Sequence, residues 1–162
     1  MLRRILSEQV PGTIKALAAI DLHTGLGPTG YGELIYLGPP GAAKERAVKW
    51  YGPEVRDPQE GSSVSAVVTG SIADALQGAL PAVQVTPIGL EFGTQPIMSV
   101  LTALRADHWL HAVEGRQTPL REAIKKQIRD AFYVDKPAWR AAVYGRTADI
   151  VLRAGRGLAS AD

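Results

Sequence analysis

A glycine-rich run between two predicted strands places the strongest constraint on the fold of this chain. Residues 25–32 form GLGPTGYG, and both glycine and proline disfavour a helix. The segments AAIDLHT at residues 18–24 and ELIYL at residues 33–37 flank this run and have the composition of strands. The first three glycines match the G-x-G-x-x-G spacing of dinucleotide-binding loops, but such a loop must lead into a helix. A strand in that place argues against a dinucleotide site and predicts a plain loop over residues 25–32.

The remaining sequence alternates between strand and helix patterns. Such alternation over 162 residues predicts one α/β domain, residues 1–162, without repeats or linkers. Ser71 is expected to cap a helix, with Asp74 in its first turn, and Pro87 indicates an irregular or edge position in the last strand. The further predicted strand covers residues 83–92, and the predicted helices cover residues 2–10, 42–51, 71–80, 97–113, 119–132 and 138–158.

Composition excludes several classes of protein. The chain has no cysteine, so any metal must be held by histidine and carboxylate rather than thiolate. Its 18 basic and 16 acidic residues leave a net charge of +2, which gives no reason to expect a nucleic-acid partner. No apolar run approaches the roughly 18 residues of a membrane span, and polar residues interrupt residues 7–15, where a signal peptide would need an apolar segment. We expect a cytoplasmic protein that does not insert into a membrane.

Two ionisable residues share one face of the first predicted strand. Because side chains alternate along a strand, Asp21 and His23 point to one side, and Ile20 and Leu22 to the other. Charged groups are buried only when they are paired or bound to a metal, so this face is expected to line a polar cleft. A histidine at the carboxyl end of a strand is well placed for a metal site. The alternative is a structural histidine that forms a hydrogen bond with Asp21.

Three segments together resemble one enzyme superfamily. They are IDLHTGLGPTGYGELI at residues 20–35, LEFGT at residues 90–94 and LRADHWLH at residues 104–111. In this order they resemble an uncharacterised bacterial branch of the zinc carboxypeptidase superfamily, which is similar to the succinylglutamate desuccinylase and aspartoacylase group. The resemblance implies a three-layer α/β/α domain with a mixed sheet. It covers most of the chain and corresponds to the carboxyl-terminal half of such an enzyme, so the fold is expected to be incomplete at its amino-terminal side.

The resemblance also implies roles for particular residues. His23 corresponds to a zinc ligand, and Glu91 to the carboxylate that moves protons during hydrolysis. Asp21 and Thr24 are candidates for supporting these two residues or lining the cleft beside them. The remaining ligands of the superfamily come from an upstream H-x-x-E motif, and no histidine precedes His23 in this sequence. The expected zinc site is therefore incomplete within this chain. The alternative for Glu91 is a structural carboxylate paired with an arginine.

A second H-x-x-E spacing occurs downstream, at His111 to Glu114. Residues at positions i and i+3 of a helix share a face, so this pair could reach a metal together with His23. The segment falls in the terminal helical region of the resemblance, however, and not at its ligand motif. We therefore expect His108 and His111 to be ordinary residues of a helix surface, with Trp109 and Leu110 packed inside.

These features leave three hypotheses of function. The chain is part of a zinc-dependent hydrolase of amide or peptide bonds, acting on a small peptide or an N-acyl amino acid. Alternatively, it is one subunit of a split enzyme whose amino-terminal half is a separate polypeptide, or it is a non-catalytic remnant or interaction domain. A half-domain exposes a sheet edge and apolar faces, so the isolated chain is expected to be inactive and to self-associate.

Overall fold

The computed structural model describes residues 2–10, 12–112 and 118–160. These residues form three strands, six α-helices and one short 3-10 turn at Pro58–Glu60. The strands are β1 (Ala16–Thr29), β2 (Gly32–Tyr36) and β3 (Gln84–Gly93). The helices are α1 (Leu2–Gln9), α2 (Ala42–Tyr51), α3 (Ile72–Ala79), α4 (Ile97–His111), α5 (Arg121–Phe132) and α6 (Pro137–Ala159). No helix in these ranges is long and apolar enough to cross a membrane.

The three strands form a mixed sheet in the order β1-β3-β2, which confirms the α/β class. β3 runs parallel to β1, since Gln84 donates its amide to Lys15 at one end and Gly30 donates to Gly93 at the other. It runs antiparallel to β2, since Leu37 donates to the carbonyl of Pro87 at one end and Gly93 donates to the carbonyl of Tyr31 at the other. An edge position for Pro87 was therefore the wrong prediction. Pro87 fits the central strand because its carbonyl accepts a hydrogen bond from Leu37, directly after β2, although its nitrogen has no hydrogen to donate.

β1 is longer than its composition suggested. It continues through the glycine run to Thr29, where a loop was predicted. Gly25 and Gly27 have φ values of 144° and 92°, which only glycine adopts readily. The strand can therefore bend at these positions without ending. The next element is the strand β2 and not a helix, so the chain lacks the helix that a dinucleotide-binding loop requires.

The chain divides into two compact units. Unit 1 comprises Met1–Leu22, Glu33–Leu90 and Thr147–Asp162, and unit 2 comprises His23–Gly32 and Glu91–Arg146. In unit 1, Leu6 of α1, Leu76 of α3 and Val85 of β3 form an apolar cluster. Arg46 of α2 donates to the hydroxyl of Thr86 over 2.7 Å and to the carbonyl of Val85 over 2.9 Å. These contacts attach α1, α2 and α3 to the sheet.

The cap of α3 confirms a local prediction. The Ser71 hydroxyl accepts from the amide of Asp74 over 3.2 Å, and the Asp74 carboxylate accepts from the amide of Ser71 over 2.8 Å. This reciprocal pair is a capping box, which satisfies donors that a helix start leaves without partners.

Two glycines of α6 in unit 1 give a matched test of packing. A Cβ at Gly157 would lie 2.4 Å from the buried ring of Trp50, whereas a Cβ at Gly155 would meet no atom within 4 Å. We expect Gly157→Ala to lower the free energy of unfolding by about 1–3 kcal/mol through overpacking. Gly155→Ala should raise it by about 0.5–1 kcal/mol, because alanine favours a helix over glycine. Urea denaturation measures both changes, and equal effects would contradict this packing of α6.

Asp57 connects the loop that follows α2 to the helix itself, within unit 1. Its carboxylate accepts from the Lys44 ammonium over 2.8 Å and from the Gln59 amide over 2.9 Å. Burial opposes ionisation of Asp57, but these two hydrogen bonds outweigh it, so the pKa of this carboxyl lies below its ordinary value. A carboxyl with a lowered pKa in the folded state stabilises the fold above its unfolded pKa, and this stability is lost as the pH falls through the folded pKa.

We therefore expect Asp57→Asn to be less stable than the wild type at pH 7, by about 1–3 kcal/mol. Asparagine keeps an oxygen that can accept from Gln59 and removes only the charge. The difference between the two proteins should shrink as the pH falls below about 4. Urea denaturation at pH 7 and pH 3 measures it, and a difference that is the same at both values would contradict the role of the Asp57 charge.

Unit 2 is built on the packing of α4 against α5. Leu110 of α4 and Ile124 of α5 are buried, as their helical spacing predicts. Trp109 remains 45% exposed, so the prediction that it packs inside was wrong. It lies one position from Leu110 and hence about 100° around the helix, away from the face that α5 covers.

Candidate functional site

His23 and Glu91 meet within unit 2. His23 lies in β1 and Glu91 in β3, and these strands are neighbours in the sheet. The Nδ1 atom of His23 is 3.9 Å from Oε2 of Glu91. The imidazole is 53% exposed, whereas only 9% of the Glu91 side chain is exposed. A buried carboxylate therefore faces a solvent-accessible imidazole, which places together the two residues selected from the sequence.

The glycine run positions the Glu91 carboxylate. The amide of Leu26 donates to Oε1 of Glu91 over 2.9 Å. Leu26 lies between Gly25 and Gly27, whose positive φ values turn the backbone amide toward the carboxylate. A Cβ at Gly25 would lie 2.9 Å from the Phe132 ring and 3.8 Å from Oε1 of Glu91. The glycines thus orient a carboxylate, where their spacing alone suggested a phosphate-binding loop.

Gly93 permits the close approach of this backbone. A Cβ at position 93 would lie 2.2 Å from the carbonyl oxygens of Gly27 and Pro28. The carbonyl of Gly93 accepts from the Gly30 amide over 2.9 Å and from the Trp139 indole over 3.0 Å. No local pattern marked Gly93 or Trp139 as site residues, because their partners are distant in sequence. The only signal was that Gly93 belongs to the L-E-F-G-T segment of the family resemblance.

Thr94 adds a buried link at the end of β3. Its hydroxyl lies 2.6 Å from the carbonyl oxygen of Ala131 and 3.2 Å from that of Gly25. Thr94 is only 4% exposed. The hydroxyl therefore connects the carboxyl end of α5 to the glycine run, close to the residue that holds Glu91.

The two secondary candidates lie in different units. Thr24 belongs to unit 2, and its hydroxyl donates to the carbonyl of Phe132 over 2.7 Å, which ties β1 to the end of α5. Asp21 belongs to unit 1 and is partly buried beside a small cavity of about 90 Å³ that Ile20 and Leu76 also line. Their assignment to the cleft of a zinc enzyme stays a prediction.

The downstream histidines lie on the surface of α4, as expected. His108 and His111 are both exposed. Nε2 of His111 is 2.6 Å from the Lys125 ammonium, and that ammonium is 2.7 Å from Asp107. The Lys125 hydrogen bond lowers the pKa of Asp107. Glu114, the other member of the downstream H-x-x-E spacing, lies outside the described residues.

His23 and Glu91 match zinc in the type of donor but not in number. Imidazole nitrogen and carboxylate oxygen are ordinary zinc ligands, and a catalytic site normally has three protein ligands. Over residues 2–10, 12–112 and 118–160, no three histidine or carboxylate side chains cluster closely enough to hold a metal ion. The described part of the chain therefore offers one histidine and one adjacent carboxylate. Any zinc site here needs ligands from outside the described residues.

Comparison with known proteins assigns the chain to a family without giving it an activity. The model of a family described as "Protein of unknown function (DUF2817)" matches residues 1–146. No curated protein and no solved structure matches the chain significantly. The matched range includes both His23 and Glu91.

Proposed function

The chain belongs to the DUF2817 family, and we propose that it is part of a zinc-dependent hydrolase of amide or peptide bonds. The observation that carries this proposal is the pairing of His23 with Glu91, whose facing atoms are 3.9 Å apart. The likeness of the D-L-H-T and L-E-F-G-T segments to the zinc carboxypeptidase superfamily supports it. Small peptides and N-acyl amino acids are the proposed substrates.

Glu91 acts as the general base in this proposal. The Leu26 amide fixes one carboxylate oxygen, and the other oxygen faces His23. A carboxylate held in this way can accept a proton from the attacking water and pass it to the leaving amine. Zinc, if held there, would supply Lewis-acid activation of that water and of the scissile carbonyl. His23 would be one of its ligands.

The remaining ligands would come from polypeptide outside these residues. Either an upstream part of the same reading frame or a separate chain would carry the H-x-x-E motif. β1 is one of the two edge strands of the sheet that the described residues form, and it carries His23, so a strand added beside it would lie about 4.8 Å away. Self-association of the isolated chain through the same open edge stays a prediction.

The test is to purify the chain from its own organism at its natural expression level, so that any complementary segment is retained. Zinc content and hydrolysis of a panel of dipeptides and N-acyl amino acids are then measured for the wild type and His23→Ala. We expect zinc and activity in the wild type and a loss of both in the variant. Lys49→Ala, an exposed change in the last turn of α2, is the control. Wild-type protein without zinc or hydrolytic activity would support a non-catalytic interaction domain instead.

A further inference from the structure

A cleft lies within unit 2 and is not lined by His23 or Glu91. It has a volume of about 750 Å³ and is formed by the ends of β1 and β3, the carboxyl end of α5 and the start of α6. This volume falls in the range of small-molecule binding sites, about 300–1,000 Å³. The cleft is therefore large enough for a ligand of its own.

One wall of this cleft is aromatic and fixed in position. The rings of Tyr133 and Trp139 pack edge to face, with centroids 5.7 Å apart. Trp139 is only 7% exposed, and its indole donates to the carbonyl of Gly93 over 3.0 Å. Tyr133 remains 42% exposed, and Ala138 and Ala142 add small side chains nearby. This wall offers an apolar surface to the body of a ligand.

On the α5 side of the cleft, one carboxylate forms ion pairs with two cations. Asp130 lies 2.5 Å from the Lys126 ammonium and 2.6 Å from the Arg129 guanidinium. The hydrogen bond from Lys126, together with that from Arg129, lowers the pKa of Asp130, so this group is ionised at neutral pH. These three side chains together carry one net positive charge.

On the α6 side, a further lysine adds to this charge. Asp135 pairs with Arg140, and Arg140 also donates to the Tyr133 hydroxyl over 3.4 Å. Lys136 lines the cleft and forms no ion pair with any described residue. Three cations and two carboxylates thus line the cleft, an excess of one positive charge, and Arg140 neutralises Asp135 from outside the lining. This excess favours an anionic ligand.

We propose that this cleft binds a small organic carboxylate with an apolar or aromatic body. The Lys136 ammonium binds the carboxylate, and Tyr133 and Trp139 contact the body. Both parts of such a ligand are required, since the charge alone would also attract simple ions and the rings alone would also attract neutral molecules. The binding needs no zinc and does not depend on the proposed hydrolase activity.

Isothermal titration with phenylacetate tests this proposal, with acetate and phenylacetamide as matched probes. Acetate keeps the charge without the ring, and phenylacetamide keeps the ring without the charge. We expect saturable binding of one phenylacetate per chain, at least about tenfold tighter than either matched probe. Binding of phenylacetamide or acetate with equal affinity would overturn the proposal, as would the absence of saturable phenylacetate binding.

Variants locate the site. Lys136→Ala should weaken phenylacetate binding about tenfold, and Lys136→Arg should retain it. Ala142→Trp places a large ring in the cleft from an exposed helix position and should abolish binding although every charge remains. Lys49→Ala removes an exposed lysine in unit 1 and should leave the affinity unchanged. Wild-type affinity in both Lys136→Ala and Ala142→Trp, in variants shown to be folded by circular dichroism, would overturn the assignment.

Discussion

Gly93→Ala is expected to lower the free energy of unfolding by at least about 3 kcal/mol. The added methyl group would lie 2.2 Å from two backbone oxygens, those of Gly27 and Pro28. Backbone atoms cannot move aside as the end of a side chain can. The glycine run would have to leave its position, and the Leu26 amide would move away from Glu91 with it.

Gly89→Ala, in the same strand, is the matched control. Its methyl group would meet the end of the Leu37 side chain at 3.3 Å, which can shift by a few tenths of an ångström. A loss of under about 1.5 kcal/mol is expected there. Urea denaturation of the two variants compares them directly. If Gly93→Ala is as stable as Gly89→Ala, the close contact between β3 and the glycine run does not exist.

Glu91→Gln is expected to reduce hydrolysis by about 10²–10⁴-fold, the usual contribution of general acid–base catalysis. Glutamine keeps the shape of the side chain and an oxygen that accepts from the Leu26 amide. It cannot take a proton from water. Folding and zinc content should therefore stay at wild-type levels while the turnover number falls, measured on the enzyme that retains its complementary segment.

Glu45→Gln makes the same chemical change at an exposed position of α2 and should leave turnover unchanged. A Glu91→Gln variant with near-normal turnover would remove Glu91 from its proposed role. A variant that lost zinc together with activity would instead identify Glu91 as a residue that mainly maintains the site.

Local signals predicted the helices well, since their causes lie within a few neighbouring residues. The bounds of α2 match the prediction, and the Ser71 and Asp74 capping box that begins α3 could be recognised from its own spacing. The extension of β1 to Thr29 was not predicted, because its cause lies in residues that are distant in sequence. A glycine-rich segment that bends a strand has the same composition as one that forms a loop. Only the contacts of this segment with β3 distinguish the two cases.

The candidate site shows the same limit. Strand alternation marked His23, but only family resemblance connected it with Glu91, because no periodic pattern joins residues so far apart in sequence. The roles of the Leu26 amide and of Gly93 could not be predicted at all. They depend on how closely two backbones approach, which the side chains of a sequence do not reveal.

His23 is expected to bind a divalent ion, and the imidazole resonances of this chain test that binding. The sequence contains three histidines, so His23, His108 and His111 can each be assigned by substitution in a nitrogen-15 NMR spectrum. On titration with zinc, we predict that the His23 ring nitrogens shift first and that His23→Ala weakens zinc uptake, while His111→Ala does not. Unchanged zinc uptake by His23→Ala, with His23 resonances that do not move in the wild type, would contradict a metal-binding role for this histidine and the hydrolase proposal built on it.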